Sequence, residues 1–356
     1  MRLMATQHLM SLGEFDLIAK YFTRAVKHAA LGVGDDCALF ATSPGMQLAV
    51  SSDMLVEGRH FLPTVPPQRL GHKALAVNLS DLAACGARPI AFTLALALPR
   101  VDEPLLDGFA RGLLALADAH ECELIGGDTT QGPFNICITV FGEVPHGQAL
   151  LRSGAQPGDD LYVSGTLGDA RLALEAFRGT VELPGAAFES TRLAMEQPQP
   201  RVALGIALRG VATSAIDVSD GLLGDLAHVL RRSNVGAELW ADALPRSAAL
   251  GAMPLVWQRQ CTLAGGDDYE LVFTAPPQRA AQVLEAARIA RVEVTRIGGI
   301  AAAPGLRLLD HGGQALANSF GSFDHFKTSG SSAGPPQADP HPLGGSTTVP
   351  GRRGAP

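Results

Sequence analysis

Six short segments combine aspartate with glycine or serine, and they are spread over most of the chain. They read GVGDDCALF at 32–40, AVSSDMLVEG at 49–58, NLSDLAACGA at 78–87, IGGDTT at 125–130, AIDVSDGL at 215–222 and GGDDYEL at 265–271. Most of these segments follow an apolar strand-like run or open a helical pattern. The fold must therefore supply many junctions between strands, turns and helices.

Strand-like and helical patterns alternate along the sequence. The strand-like runs lie at 46–50, 136–140 and 161–164, and the helical patterns lie at 67–85, 103–120 and 221–232. This mixture predicts an α/β or α+β fold. Two domains are expected, because 356 residues exceed the roughly 150 that one domain usually contains.

Turn-forming residues set the expected domain limits. The segment PHGQALLRSGAQPGDD at 145–160 separates two strand-like runs, so we place the domain junction there. From residue 327 onward the sequence is dominated by Gly, Pro and Ser and offers little to bury. The predicted organisation is a flexible N-terminus at 1–10, an N-terminal domain at 11–148, a C-terminal domain at 149–326 and a disordered tail at 327–356.

Charge and cysteine content narrow the functional class. A formal charge of -7 argues against a nucleic-acid-binding protein, which normally shows a basic face, so small-molecule chemistry is favoured. The cysteines are widely spaced and form no C-x-x-C pair, which is typical of reduced thiols in the cytoplasm: Cys37, Cys85, Cys122, Cys137 and Cys261. We predict no export and no membrane span, since no signal-peptide core and no run of about 18 apolar residues is present.

The aspartates allow a functional and a structural interpretation. Short carboxylates and hydroxyls at strand ends are the oxygen ligands that Mg²⁺ prefers, but a single Gly-Asp is more often a turn or a helix cap. Asp81 lies inside an Ala/Leu helical pattern, where a carboxylate needs a partner or a metal. Period-two alternation places Asp217 and Ser219 on one side of a strand, and Asp220 could cap the next helix. For that segment both interpretations stay open.

Several familiar catalytic motifs are missing. The sequence contains no G-x-x-x-x-G-K-[ST] and no G-x-G-x-x-G, and its only lysines are Lys20, Lys27, Lys73 and Lys327. A P-loop or protein-kinase mechanism is therefore not expected. Ser219 is a near match to a nucleophile elbow, but Asp217 replaces the first glycine of that motif. We expect His60 and His72 to lie at the surface or to face a substrate rather than to bind a metal.

Read in order, the segments resemble a known enzyme family. The matching segments lie between Gly13 and Phe326. They are GEFDLIAKYF, GVGDDCALF, HKALAVNLSDLAACGA, LIGGDTT, LLRSGAQPGD, SAIDVSDGL, GGDDYELVFT and FDHF. Together they are similar to the thiamine-monophosphate kinase branch of the aminoimidazole-ribonucleotide-synthetase-like superfamily of ATP-binding enzymes. The resemblance implies an N-terminal α/β domain that pairs between subunits of a homodimer, followed by a C-terminal α/β domain.

The same resemblance implies an activity. It is the ATP-dependent phosphorylation of thiamine monophosphate to thiamine diphosphate, the final step of thiamine diphosphate biosynthesis, assisted by several Mg²⁺ ions. The acceptor is a phosphate monoester whose second pKa of about 6 leaves its oxygens largely ionised at neutral pH. No general base is therefore expected among the residues, and catalysis should rest on alignment and charge neutralisation.

Carried over by position, the resemblance implies three groups of site residues. The metal ligands are Asp36, Ser51, Ser52, Asp53, Asp81, Asp128 and Asp217, with Asp220 near a further ion. The contacts to the ATP phosphates are Gly127, Asp128, Arg152 and Ser219. The residues near thiamine phosphate are His60, Asp267 and Phe323. Taken without the resemblance, Arg152 is better interpreted as a solvated loop arginine, although its guanidinium fork suits phosphate oxygens.

Two residues depart from the family pattern. Phe323 stands where the family often has Tyr or Trp, and it could stack on a thiazolium or pyrimidine ring or simply fill the core. Asp267 stands where we expect Glu, which shortens the reach of the carboxylate by roughly one C–C bond.

Two alternative functions remain. A selenophosphate synthetase-like or hydrogenase maturation-like enzyme of the same superfamily usually carries a reactive Cys or selenocysteine near the N-terminus or a C-terminal Cys. This chain has its first cysteine at Cys37 and its last at Cys261. A non-catalytic nucleotide-binding sensor is disfavoured, because every expected metal position is still Asp or Ser.

Overall fold

The computed structural model describes residues 13–317 and residue 320, which belong to one compact unit. The predicted flexible segment at 1–10, the predicted tail at 327–356 and Phe323 lie outside the described residues. In the described part of the chain, no helix is both long enough and apolar enough to cross a membrane.

The first half of the chain forms a four-stranded sheet that is covered on one face by helices. Its strands are β1 (Met46–Val56), β2 (Arg88–Leu98), β3 (Glu123–Gln131) and β4 (Asn135–Pro145), in the order β1-β4-β2-β3. Only the β2–β3 pair is parallel. The accompanying helices are α1 (Glu14–Tyr21), α2 (Pro67–Ala84) and α3 (Glu103–Ala119), and α2 and α3 pack on the same sheet.

The second half forms a seven-stranded, mainly antiparallel sheet. Its strands are β5 (Asp160–Ser164), β6 (Ser214–Asp217), β7 (Gly236–Trp240), β8 (Leu271–Ala275), β9 (Val294–Ala301), β10 (Gly305–Leu309) and β11 (Ala315–Leu316), in the order β11-β10-β7-β9-β5-β8-β6. The helices are α4 (Asp169–Phe177), α5 (Gly185–Glu196), α6 (Val202–Ala207), α7 (Leu222–Ser233), α8 (Ala248–Gly251), α9 (Leu255–Ala264) and α10 (Ala280–Ala290). The predicted mixed α/β fold is confirmed.

Helix α2 is the central element, because almost every residue from Leu70 to Ala83 is buried. It begins after Pro66 with a proline in its first turn, and it ends before Gly86, whose φ is +66°. The helix contacts β1 and β4 of the first sheet, α3, and β6 and α6 of the second half. One buried helix therefore connects residues of both halves.

The connection between the halves contains neither helix nor strand. It runs from residue 146, after β4, to residue 159, before β5. The predicted junction near 145–160 falls on this connection, while the domain limits themselves stay a prediction.

Candidate functional site

The buried helix α2 carries three polar side chains that reach both sheets. Asn78 accepts a hydrogen bond from the backbone N–H of Asp53 on β1, at 3.0 Å. Asp81 accepts one from the hydroxyl of Ser51 on β1, at 2.5 Å. Ser80 donates to Asp217, the last residue of β6, at 2.7 Å. Segments far apart in sequence thus meet along about one turn of α2.

Four carboxylates converge at this meeting point, and we call Asp53, Asp81, Asp217 and Asp220 the acidic cluster. Burial, followed by the charges of Asp81 and Asp220, raises the pKa of Asp53 to about 6. Burial and then the charge of Asp81 raise the pKa of Asp217 to about 7. Burial also raises the pKa of Asp81. The surroundings therefore do not fully stabilise the negative charge of the acidic cluster, and a bound cation would stabilise the ionised carboxylates.

The pleat of β1 decides which of its polar residues can join the cluster. Successive side chains on a strand point to opposite faces. Ser51 is bonded to Asp81 on the helix-covered face, whereas the Ser52 hydroxyl lies 2.9 Å from the hydroxyl of Thr139 on the other face. The structure therefore separates the side chain of Ser52 from that of its predicted co-ligand Ser51.

A cavity of about 540 Å³ opens beside the cluster. Its lining includes Ser51, Asp81, Arg152, Asp217 and Arg232. Arg152 is exposed, and its positive charge lowers the pKa of Asp81, against the larger effect of burial. The predicted phosphate contact Arg152 and three predicted metal ligands, Ser51, Asp81 and Asp217, thus share one cavity.

A second cavity, of about 410 Å³, lies at the β3 edge of the first sheet. Asp36, Gly127 and Asp128 line it, together with the apolar side chains of Phe15 and Ile18 on α1. Gly127 has φ +150°, and a Cβ there would lie 1.8 Å from the carbonyl oxygen of Leu94, so only glycine fits. The structure brings these three predicted residues together, in a cavity distinct from that beside Asp81.

The turn between β6 and α7 is held by a residue that the sequence reasoning missed. One carboxylate oxygen of Asp225 accepts from the backbone N–H groups of Ser219, Asp220 and Gly221, each at 3.1 Å. The proposed capping role of Asp220 is therefore wrong, since Asp225 satisfies these donors from inside the helix. An aspartate in the first turn after Ser-Asp-Gly was the available signal.

The segment that holds Asp267 lies against this turn. The backbone N–H of Asp267 donates to the carbonyl of Ser219, and that of Tyr269 donates to the carbonyl of Val218, both at 2.8 Å. The Asp267 carboxylate forms an ion pair with Lys73 of α2. Asp267 is thus held next to Ser219, and Lys73 is a further residue that the sequence reasoning missed.

The two histidines lie in different environments. His60 accepts a hydrogen bond from the backbone N–H of Val56 at 3.0 Å, through Nδ1, in the turn after β1. His72 is buried, and its Nε2 lies 2.8 Å from the carbonyl oxygen of Pro198. The expectation that His72 lies at the surface or faces a substrate is wrong, because it fills a satisfied position between α2 and the chain after α5.

Within 13–317 and 320, no three side chains of His, Cys, Asp or Glu are grouped tightly enough to hold a metal by themselves. This arrangement is compatible with Mg²⁺, which usually keeps several waters and binds through one or two carboxylates plus substrate phosphates. Asp53, Asp81 and Asp217 offer hard oxygen donors and unbalanced negative charge. The donor set fits Mg²⁺ completed by phosphate oxygens.

Comparison with known proteins gives consistent matches over both halves. The AIR synthase related protein N-terminal domain matches residues 34–144, and the corresponding C-terminal domain matches residues 156–311. The thiamine-monophosphate kinase of Salmonella typhimurium (strain LT2) is 43% identical over 330 residues, which are 90% of this chain and 100% of that protein.

Two solved structures are also similar. The crystal structure of thiamine-monophosphate kinase from Stenotrophomonas maltophilia K279a has a TM-score of 0.76 and 46% identity, and the match covers 81% of this chain and 92% of that one. The complex of AaThiL with AMPPCP and TMP has a TM-score of 0.70 and 28% identity, covering 80% and 89% of the two chains.

Proposed function

The chain belongs to the AIR synthase related family and to its thiamine-monophosphate kinases, and we infer that it transfers the γ-phosphoryl group of ATP to thiamine monophosphate. The products are thiamine diphosphate and ADP. The observation that carries this function is the match over the whole length of a curated kinase, together with an acidic cluster suited to phosphate chemistry. The complex of AaThiL with AMPPCP and TMP supports both substrates.

The direct test is an assay of the purified full-length chain with ATP, Mg²⁺ and thiamine monophosphate. We expect equal amounts of thiamine diphosphate and ADP, resolved by liquid chromatography, and no ADP beyond background when thiamine monophosphate is omitted. ATP turnover that ignores thiamine monophosphate would favour another enzyme of the superfamily. Binding of ATP without any turnover would favour a sensor.

We propose that several Mg²⁺ ions bind at the site, with Asp53, Asp81 and Asp217 as ligands and phosphate oxygens completing the coordination. Asp36 and Asp128, which line the second cavity, and Asp220 and Ser51 are proposed as further ligands of these ions on the strength of the family resemblance. When bound, Mg²⁺ supplies charge neutralisation and alignment for the transferring phosphoryl group. Ser52 is the weakest member of the predicted ligand set, because its side chain lies on the opposite face of β1 from Ser51.

The chain's own residues can perform the remaining steps. Arg152, beside Asp81, presents a guanidinium fork to phosphate oxygens, and Gly127 lets backbone approach a ligand next to Asp128. We propose that both contact the phosphates of ATP, with Ser219 at the β6–α7 turn. No residue has to remove a proton, because the acceptor phosphate is already ionised. Thiamine phosphate then lies towards His60 and Asp267, and Phe323 keeps its predicted role outside the described residues.

Removing one cluster carboxylate should stabilise the metal-free protein. The folded-state pKa values of Asp53 (about 6) and Asp217 (about 7) lie above 3.8, so the stability that they contribute is fully present below about pH 3.8 and is lost as pH rises through 6 and 7. We expect Asp217→Asn in EDTA to melt at a higher temperature than wild type at pH 8, and we expect this difference to be clearly smaller at pH 5.

Thermal melting with and without MgCl₂ checks this prediction. Mg²⁺ should raise the melting temperature of wild type more at pH 8 than at pH 5, and should raise that of Asp217→Asn much less. Asp107→Asn, an exposed aspartate on α3, is the control and should follow wild type. If Asp217→Asn melted below wild type at every pH, the charge-repulsion account of the cluster would be wrong.

We also propose that the chain forms a homodimer through the open face of the first sheet. Leu48, Val50 and Met54 of β1 are 46%, 56% and 53% exposed, and they point away from the face that α2 covers. Three large apolar side chains in a row on an edge strand favour pairing with a second surface. The pairing of N-terminal domains implied by the family supports a second copy of this chain as the partner.

A lysine in this face should break the proposed dimer. Met54→Lys places a charge in the apolar patch, and we expect a monomer in sedimentation velocity at micromolar concentration where wild type is a dimer. The control is Leu284→Lys on α10, which alters another exposed apolar residue outside the first sheet. A wild-type monomer, or a dimer that survives Met54→Lys unchanged, contradicts the proposed interface.

All five cysteines are free thiols in the structure. We propose a reducing, cytoplasmic location on this basis, in agreement with their wide spacing in the sequence. Fractionation of cells that produce the chain, followed by immunodetection, tests the location directly.

A further inference from the structure

Lys73 is a buried lysine next to the substrate side of the proposed site. It lies on α2 and is only 2% exposed, although lysine is among the residues least often buried. Its ammonium forms an ion pair with Asp267, across 194 positions of sequence. A buried ammonium is tolerated only where it has a partner, so the position of Lys73 and that of Asp267 depend on each other.

A second side chain, that of Tyr269, lies near Asp267. Burial is the largest cause that raises the pKa of Tyr269, and the negative charge of Asp267 is the next largest. Tyr269 is buried at the edge of the same segment. The Asp267 carboxylate is therefore paired with an ammonium from α2 and lies near a phenol from its own loop.

The backbone of this loop is also constrained. Asp267 has φ +71° and Tyr269 has φ +52°, a region that residues other than glycine rarely adopt. A Cβ on the preceding Gly266 would lie 2.5 Å from the carbonyl oxygen of Ser219, so the loop lies directly against the β6–α7 turn. Strained backbone of this kind persists where surrounding contacts fix it, and it is concentrated at functional sites.

The Asp267 carboxylate is held in place but remains partly accessible to solvent. A third of the Asp267 side chain, 33%, is exposed, in contrast to 3% of the Lys73 side chain. The ammonium thus approaches from the protein interior, and the carboxylate presents its remaining surface outward. In such an arrangement, contacts in the protein interior orient the carboxylate, and its exposed side remains accessible to a ligand.

We propose that Lys73 and Tyr269 are positioning residues that hold the Asp267 carboxylate for contact with the thiamine end of thiamine monophosphate. The inference rests on the proposed function and deepens it. It also gives a role to the shorter Asp267: this carboxylate is placed by its two partners rather than by the reach of its own side chain. Neither positioning residue lines the two cavities that hold the proposed phosphate contacts, so the effects should be confined to one substrate.

The test is a comparison of Michaelis constants for the two substrates. Lys73→Met should raise KM for thiamine monophosphate about tenfold and Tyr269→Phe about threefold, with KM for ATP and kcat at saturation within about twofold of wild type. Lys20→Met, the same substitution at a surface lysine paired with Glu103, is the matched control and should leave all three constants unchanged.

A double-mutant cycle separates positioning from a purely structural role. If Lys73 acts through Asp267, then Lys73→Met should raise KM for thiamine monophosphate in wild type but add nothing in an Asp267→Asn background. Equal increases in both backgrounds, or a loss of thermal stability with no change in this KM, would overturn the proposal.

Two further experimental results would also have a clear interpretation. If Lys73→Met does not fold, Tyr269→Phe decides alone, because it removes a single hydroxyl group, and an unchanged KM for thiamine monophosphate would then overturn the proposal. Wild-type protein that makes no thiamine diphosphate would instead refute the proposed function itself, before any variant is compared.

Discussion

Replacing Asp81 with asparagine is expected to lower kcat by about a thousandfold or more while the protein stays folded. Asp81 accepts a hydrogen bond from Ser51, and its charge acts on both Asp53 and Asp217. Asparagine keeps the size of the side chain and one acceptor oxygen, but it removes the negative charge that a metal ion needs. The loss should therefore appear in the chemistry and not in the fold.

The measurement is steady-state kinetics over a wide range of Mg²⁺, combined with thermal melting. Added Mg²⁺ should not restore the activity of Asp81→Asn, and its melting temperature in EDTA should equal or exceed that of wild type, since one of four crowded charges is gone. Asp107→Asn on the exposed surface of α3 carries the same chemical change and should keep normal kcat. Near-normal activity of Asp81→Asn would show that Asp81 is structural.

The prediction for Asp81 was reachable from the sequence because it depended on local pattern. An aspartate among Ala and Leu of a helix needs a partner, and the structure shows that this helix is buried on nearly all sides. Period-two alternation likewise placed Asp217 and Ser219 on one side of a strand. The structure ends that strand at Asp217, which meets Ser80, and Ser219 lies in the following turn. Ser51 and Ser52 were both carried over as ligands by resemblance, and the structure places their side chains on opposite faces of β1.

The features that the sequence did not predict depend on contacts between distant segments. Asp225 satisfies three backbone donors of a turn whose shape depends on Gly221, at φ +115°, packed against residue 265. Lys73 and Asp267 are 194 positions apart, and nothing local marks either as the partner of the other. His72 was misjudged because its burial depends on where the chain after α5 returns to α2. Each of these features could be recognised only from the tertiary fold.

Replacing Gly112 with alanine is expected to cost about 3 kcal/mol of stability or more, the largest structural effect that we predict for a single methyl group. A Cβ on Gly112 of α3 would lie 1.8 Å from the carbonyl oxygen of Gln68 in α2. The crossing is reciprocal, since a Cβ on Gly71 of α2 would lie 2.0 Å from the carbonyl oxygen of Phe109 in α3. Both obstacles are backbone atoms, so the helices themselves must move apart.

The displacement should reach the site, because α2 carries Lys73, Asn78 and Asp81 between the two sheets. We expect Gly112→Ala to unfold at a clearly lower urea concentration and, in the folded fraction, to bind Mg²⁺ and both substrates more weakly. Gly185→Ala, at the start of α5 with open space around its Cα, is the control and should change stability by less than about 0.5 kcal/mol. If Gly112→Ala were as stable and active as this control, the close crossing of α2 and α3 would not be what fixes Asp81 in place.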